Sequence, residues 1–384
     1  MNEKISGNQL CAIIFILITS NKLLVLPSIL YDCTANDTIF YVLGMFIFDF
    51  FCLLICAYVN KKWKNQTFLE RCDKVFGVNI TKILCFVIFA YFAFKTFLTF
   101  KETQNFLSTT IYVDLSAFTF IVLFVMVAVY ISSRGMRNVG RVAEVFTPVV
   151  IIGILVSFLL AFPQVQIDGI LPLFTSTLKD FGNAITYSSV WFGNFIIFFL
   201  LVGRVEQKKD TFRKVGISFG ISALLVLLIF WFFYSMFGAS SAIHHYAIAD
   251  ITSFAPALSS LAKVDWFTVI FYSVSVIIQL VLQMSAMIIL LKHLFKRDFG
   301  FTFYLVFSLF WVAIYLLLPV GFDQAVQFYS RECGLYIAIF NFLMPILFSF
   351  VYFWKTKWDK KDEQKQESYI QNISTQKQKN LRRL

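Results

Sequence analysis

Leu10 to Leu30 reads LCAIIFILITSNKLLVLPSIL, an apolar run long enough to cross a bilayer but interrupted near its middle by Thr19, Ser20, Asn21 and Lys22. A hydrocarbon core of roughly 30 Å takes about 20 apolar residues as helix, and polar side chains at that depth are costly. The interruption predicts a helix broken at a binding site.

The rest of the chain sets the class. Hydrophobic residues make up 59% of the 384 and charged residues 14%, against about 25% charged in soluble domains. With a mean hydropathy of +0.76, this excludes a soluble domain and leaves an all-α integral membrane protein. The net charge of +11 reports orientation through its placement along the chain; nucleic-acid binding is the weaker explanation of it.

Ten apolar segments stand out, at 10–30, 38–60, 80–100, 116–133, 144–162, 185–203, 215–238, 266–291, 299–319 and 334–354. The gaps between them alternate in charge. Lys61, Lys62, Lys64, Arg71, Lys74 and Lys82 fall around the second gap, Arg134, Arg137 and Arg141 in the fourth, Arg204, Lys208, Lys209, Arg213 and Lys214 in the sixth, and Lys292, Lys296 and Arg297 in the eighth. The odd gaps hold only Lys101, Lys179, Lys263 and Arg331. The positive-inside rule then puts the even gaps and both termini in the cytoplasm. The tail, 355–384, is polar and basic, with the composition of a disordered segment that can rest on anionic lipid. TFLERCDKVFG in the second gap has the period of an interfacial helix. The fifth and seventh gaps are long, apolar and Pro-containing, and predict short helices folded over the outer mouth.

Five spans per half make the halves point opposite ways, so ten spans fit a five-plus-five inverted repeat, 1–163 and 164–354. Such a repeat requires the sixth span to break as the first does. It runs AITYSSVWFGNFIIFFLLVG, interrupted at Phe192-Gly193-Asn194. Half-helix ends expose N–H and carbonyl groups at the midplane, where they bind the carboxylate or ammonium of a small zwitterion. The plainer alternative is that Gly193 only permits close packing and Ser20 bonds back to its own helix.

Lys22 and Lys95 are the ionisable groups deepest in spans, and Asp49 lies near the middle of the second. For Lys22 two readings stay open: it snorkels to the outer surface, or its ammonium stands beside the break, replacing a coupling cation or binding a carboxylate. The third span places Tyr91, Lys95, Thr99 and Glu102 on one face, and the eighth places Ser275, Gln279 and Gln283 four apart. The candidate ligand-binding set is Thr19, Ser20, Asn21, Lys22, Tyr91, Lys95, Phe192, Gly193, Asn194 and Gln279.

No catalytic constellation, cofactor loop or metal-ligand spacing is present: His244 and His245 are adjacent, and Cys52 and Cys56 lack further ligands nearby. Neither an enzyme nor a metal or cofactor protein is expected. Cys33 and Cys333 fall in loops on one side, which permits a disulfide without implying one.

KISGNQL before a broken first span ending in LPS, then SSRGMRNVGRVAEVFTP and, more loosely, ILPLFTSTLKDFG, resemble the B subunits of endospore nutrient germination receptors. The resemblance covers most of the first five spans and the start of the second half. It implies the fold of the amino acid, polyamine and organocation transporters: ten helices in a leucine-transporter-like inverted repeat with the first and sixth unwound. It also implies a multi-pass protein of the endospore inner membrane that senses a nutrient such as an amino acid, with an A subunit and a lipoprotein C subunit as partners. Arg134, Gly135, Arg141 and Glu144 match the family's cytoplasmic motif and look like a structural clamp. Two departures stand out: the family's glycine in the first break is replaced by Thr19-Ser20-Asn21-Lys22, and its outer Arg-x-Glu pair by Asp265-Trp266-Phe267. The expected function is a germinant receptor; the other classes are an amino-acid symporter and a germinant-gated water or ion conduit.

Overall fold

The computed structural model describes residues 4–62, 66–110, 116–166, 171–206, 210–253 and 265–354. The basic tail predicted for 355–384 lies outside the described residues. Helix α1 (Gly7–Thr19) starts at Ser6, whose hydroxyl accepts from the Gln9 amide while the Gln9 side chain accepts from the Ser6 amide. This reciprocal cap satisfies two orphan N–H groups. The helix ends where the sequence turns polar: Ser20–Lys22 makes one 3-10 turn, residues 23–25 bend, and α2 (Leu26–Thr34) resumes with Pro27 in its first turn, where no N–H partner is needed.

The second span is α3 (Thr38–Lys62), and a capped, strongly amphipathic helix, α4 (Phe68–Phe76), leads into the long α5 (Val78–Thr110). A hairpin, α6 (Ala117–Ser133) and α7 (Met136–Ala161), follows. The sixth segment is split into α8 (Leu178–Ser188) and α9 (Phe195–Leu201). Then follow α10 (Thr211–Phe237), a short α11 (Ala247–Ser253), α12 (Asp265–Phe295), α13 (Phe301–Leu317), α14 (Phe322–Gln327) and α15 (Gly334–Phe353).

Every one of the ten apolar segments is thus helical, and the first and sixth are broken where the sequence placed their polar interruptions. Among the described residues six helices are long and apolar enough to cross a membrane on their own. Extended structure among them is limited to an isolated bridge between Ile5 and Val205. Phe51, Phe86, Leu159 and Ile346 are more than half exposed on the outside of the bundle, a face that only lipid makes stable. The centre is α12 packed along α5, with α6 and α7 against it, while α1 lies on α10 and α7, and α2 on α8.

The gaps differ from expectation in an instructive way. Among the described residues of the fifth gap before α8, Phe174–Ser176 runs as a strap whose three backbone N–H groups donate to the Asp37 carboxylate at 2.5, 2.7 and 2.8 Å. Just beyond it Thr177 caps α8, which starts earlier than the apolar run. In the seventh gap a short helix, α11, does form, and it buries Ala247, Ile248 and Ile251 while packing against α7, α10 and α12.

Burial alone would raise the Asp37 carboxyl; the amides of Ser176, Phe174 and Thr175 outweigh it and hold the group below its usual value of 3.8. A folded value below the unfolded one means the strap's contribution is complete above pH 3.8 and drains away as pH falls through the lowered folded value. Asp37→Asn, which turns one acceptor oxygen into a competing donor, is expected to lower the thermal midpoint by several degrees at pH 7. Melts followed by tryptophan fluorescence in nanodiscs check this: the two proteins converge in strong acid, and identical midpoints at pH 7 would rule out a stabilising strap.

Candidate functional site

The second break turns on Gly193, whose φ is +76°. A side chain in that region is strained, and a Cβ here would also overlap Asn341 Oδ1 and Tyr91 OH. Breaking two helices at mid-membrane frees carbonyls that lipid cannot satisfy, and the chain satisfies them itself. The Asn194 amide donates to Leu17 O, joining the second break to the end of α1. The first two amides of α11, Ala247 and Ile248, donate to Leu24 O and Leu23 O at 3.1 and 3.2 Å. Asn341 on α15 donates to Ser189 O at 2.9 Å. Phe192 O accepts from Lys95 Nζ at 2.8 Å and, more weakly, from Tyr91 OH at 3.4 Å.

The polar stripes of α5 and α12 meet the breaks. Ser20 donates to Gln279, Asn21 donates to Thr99 at 3.3 Å, and Gln283 donates to the same Thr99 hydroxyl at 3.4 Å. Glu102, one turn along α5, is fully buried and faces Trp191 and the Val25 amide. Thr19 stands apart: its hydroxyl donates back to Phe15 O at 2.9 Å within α1. The single Ser20 hydroxyl proton is shared between the same kind of back-bond, to Ile16 O at 2.8 Å, and Gln279 Oε1.

Lys22 does not snorkel. It is fully buried, with Nζ 5.1 Å from the Phe192 ring centre and 5.8 Å from that of Phe46. Asp49 on α3 is buried too and interacts electrostatically with both Lys22 and Lys95. Asp49, Phe46 and Asn341 were missing from the sequence-derived set. For Asp49 the signal was visible as a lone carboxylate in mid-span; Asn341 is a single polar residue in an apolar helix with no stripe around it.

The motif of Arg134, Gly135, Arg141 and Glu144 lies at the turn between α6 and α7. Gly135 adopts φ +88°, the Arg134 guanidinium lies 5.1 Å over the Tyr130 ring, and Arg141 donates to Asn138, whose own side chain donates to Arg134 O. Glu144 is exposed. Away from the breaks, a cavity of about 570 Å³ opens between α1, α3, α9 and α10, lined by Leu10, Leu53, Asn60, Lys61, Val205 and Phe212 among others.

The profile of the family described as spore germination protein matches residues 4–320. The chain belongs to the spore germination protein family. Within it, spore germination protein A2 of Bacillus subtilis (strain 168) is 26% identical over 199 residues, 51% of this chain and 53% of that protein. Spore germination protein KB of the same organism is 22% identical over 232 residues, 59% of this chain and 61% of that one. The aligned stretches thus span less than two thirds of either relative. Among solved structures, the inward-facing conformation of Mhp1 is 12% identical, with a TM-score of 0.47 over 89% of this chain and 74% of that one.

Proposed function

We propose that this chain is the membrane-embedded subunit of a spore germinant receptor, which binds a small nutrient, an amino acid by class, between its first, third, sixth and eighth spans. The observation that carries this reading is the junction of the two breaks: Asn194 reaches from the second to Leu17 at the first, and α5 and α12 bring Thr99, Gln279 and Gln283 to the same point. A ligand bound there shifts the balance between two arrangements of the half-helices by its differential affinity for them, and partner subunits read the shift.

Family membership supports a wider reading. The chain sits in the inner membrane of the endospore with both termini in the cytoplasm, alongside A and C subunits, and its halves, 1–163 and 164–354, form an inverted repeat. The packing of α5 on α12 and of α6 on α13 supports that repeat, because exchange of each span with the fifth one after it pairs third with eighth and fourth with ninth. The role is binding rather than catalysis.

Spores lacking the chain are expected to lose their response to one class of nutrient while germinating normally with others, as followed by the fall in optical density. Proteoliposomes of the purified chain are expected neither to accumulate radiolabelled amino acids nor to swell osmotically. Accumulation by the chain alone would make it a symporter, and nutrient-dependent swelling a conduit.

A further inference from the structure

Beside the breaks two opposite charges are buried without a hydrogen-bond partner among the described residues. Lys22 Nζ is enclosed and meets only the faces of Phe192 and Phe46. Both carboxylate oxygens of Asp49 are enclosed and accept nothing. The two groups feel one another electrostatically, yet neither bonds to the other. Burial of an unbonded charge is costly, and apolar residues of the same volume would relieve it. A chain that keeps one buried charge of each sign, near one another but not bonded together, presents the complement of a molecule that carries both.

Lys95 narrows the class further. A half-helix carboxyl end attracts a cation, but here Phe192 O already accepts from the Lys95 ammonium. Leu17 O, Leu23 O and Leu24 O are likewise taken, by Asn194, Ile248 and Ala247. A ligand ammonium that meets these breaks finds its acceptor in Asp49 rather than in the backbone.

We infer that the ligand of this site is a zwitterion of α-amino-acid type clamped by side-chain charges, its carboxylate on Lys22 and its ammonium on Asp49. This rests on the reading of the two breaks as the nutrient site. The rings of Phe46 and Phe192 hold the Lys22 ammonium by cation–π contact; on binding, the ligand carboxylate replaces them. That exchange gives the liganded arrangement its differential stability.

The test uses the full chain in nanodiscs with a radiolabelled mixture of the proteinogenic L-amino acids, read by scintillation proximity so that weak binding registers without washing. The wild type is expected to bind label, and Lys22→Gln and Asp49→Asn each to weaken binding about tenfold or more. Unlabelled amino acids should compete, while the matching 2-hydroxy acids, which lack the ammonium, and the amino-acid amides, which lack the carboxylate, should not. The paired variant Lys22→Met with Asp49→Leu controls for folding: its thermal midpoint should equal or exceed that of the wild type while label is lost. Wild-type binding in either single variant, or equal competition by the hydroxy acids or amides, overturns the clamp. Label bound equally by wild type and Gly193→Leu locates the ligand elsewhere and overturns the nutrient-site reading itself. No label on the wild type overturns the amino-acid class.

Discussion

Gly193→Leu is expected to abolish nutrient-triggered germination while the chain remains in the spore membrane. With φ at +76°, any L side chain here adopts a left-handed backbone at a cost of roughly 1–2 kcal/mol. The added Cβ also falls on Asn341 Oδ1 and Tyr91 OH, and overpacking of this kind adds about 1–3 kcal/mol. Neither neighbour can retreat freely: Asn341 satisfies Ser189 O and Tyr91 leans on Phe192 O. Displacing Asn341 strips Ser189 O of its partner, at about 1–3 kcal/mol if that carbonyl is left bare, while Phe192 O keeps only its bond from Lys95. The sum is a large part of the roughly 5–15 kcal/mol that stabilises a folded domain, concentrated where the half-helices must hold their relative position. Gly193→Ala should show a weaker version of the defect. Gly182→Ala, on an open face of α8 with nothing near its Cβ position, should behave as wild type. Immunoblots of spore membranes together with the optical-density response decide the matter. A normal response from Gly193→Leu would show that the second break does not take part in sensing.

The bilayer explains why so much of the fold was legible. A span must be a continuous apolar run, so the ten segments show in composition alone, and each polar interruption marks a break because lipid does not tolerate it otherwise. Long-range satisfaction of freed backbone groups left no such trace. Nothing in the run HHYAIADITS signals that its amides cap Leu23 and Leu24, and Asp37 is 137 residues from the Phe174 amide it binds. Asn341 was invisible for the same reason, since one Asn in an apolar helix acquires meaning only from the helix opposite. Thr19 was read into the site because it adjoins Ser20 in sequence, but its hydroxyl is already spent on Phe15 O within its own helix. The direction of Lys22 was ambiguous because distance along a helix measures depth only while the helix is continuous. Once it breaks after Thr19, the side chain is free to turn inward.

The contrast between Asn194 and Thr19 tests that distinction at the level of single atoms. Asn194→Asp keeps shape and volume but replaces the amide that donates to Leu17 O with a carboxylate oxygen facing a carbonyl oxygen. Leu17 O then loses its partner at mid-membrane, at about 1–3 kcal/mol, and a new buried carboxylate adds several kcal/mol more unless it takes up a proton. Germination should be lost as completely as in Gly193→Leu, with a clear fall in thermal midpoint. Asn194→Ala, which removes the bond without adding a charge, should lie between this and wild type. Thr19→Val deletes a hydroxyl of equal burial whose one bond runs back along α1, where such bonds contribute little and slightly disfavour the helix. It should leave both germination and thermal midpoint within error of wild type. If Thr19→Val instead proves as damaging as Asn194→Asp, then burial at the break, rather than the bond between the two half-spans, is what sensing depends on, and the junction of Asn194 with Leu17 loses its place at the centre of the site.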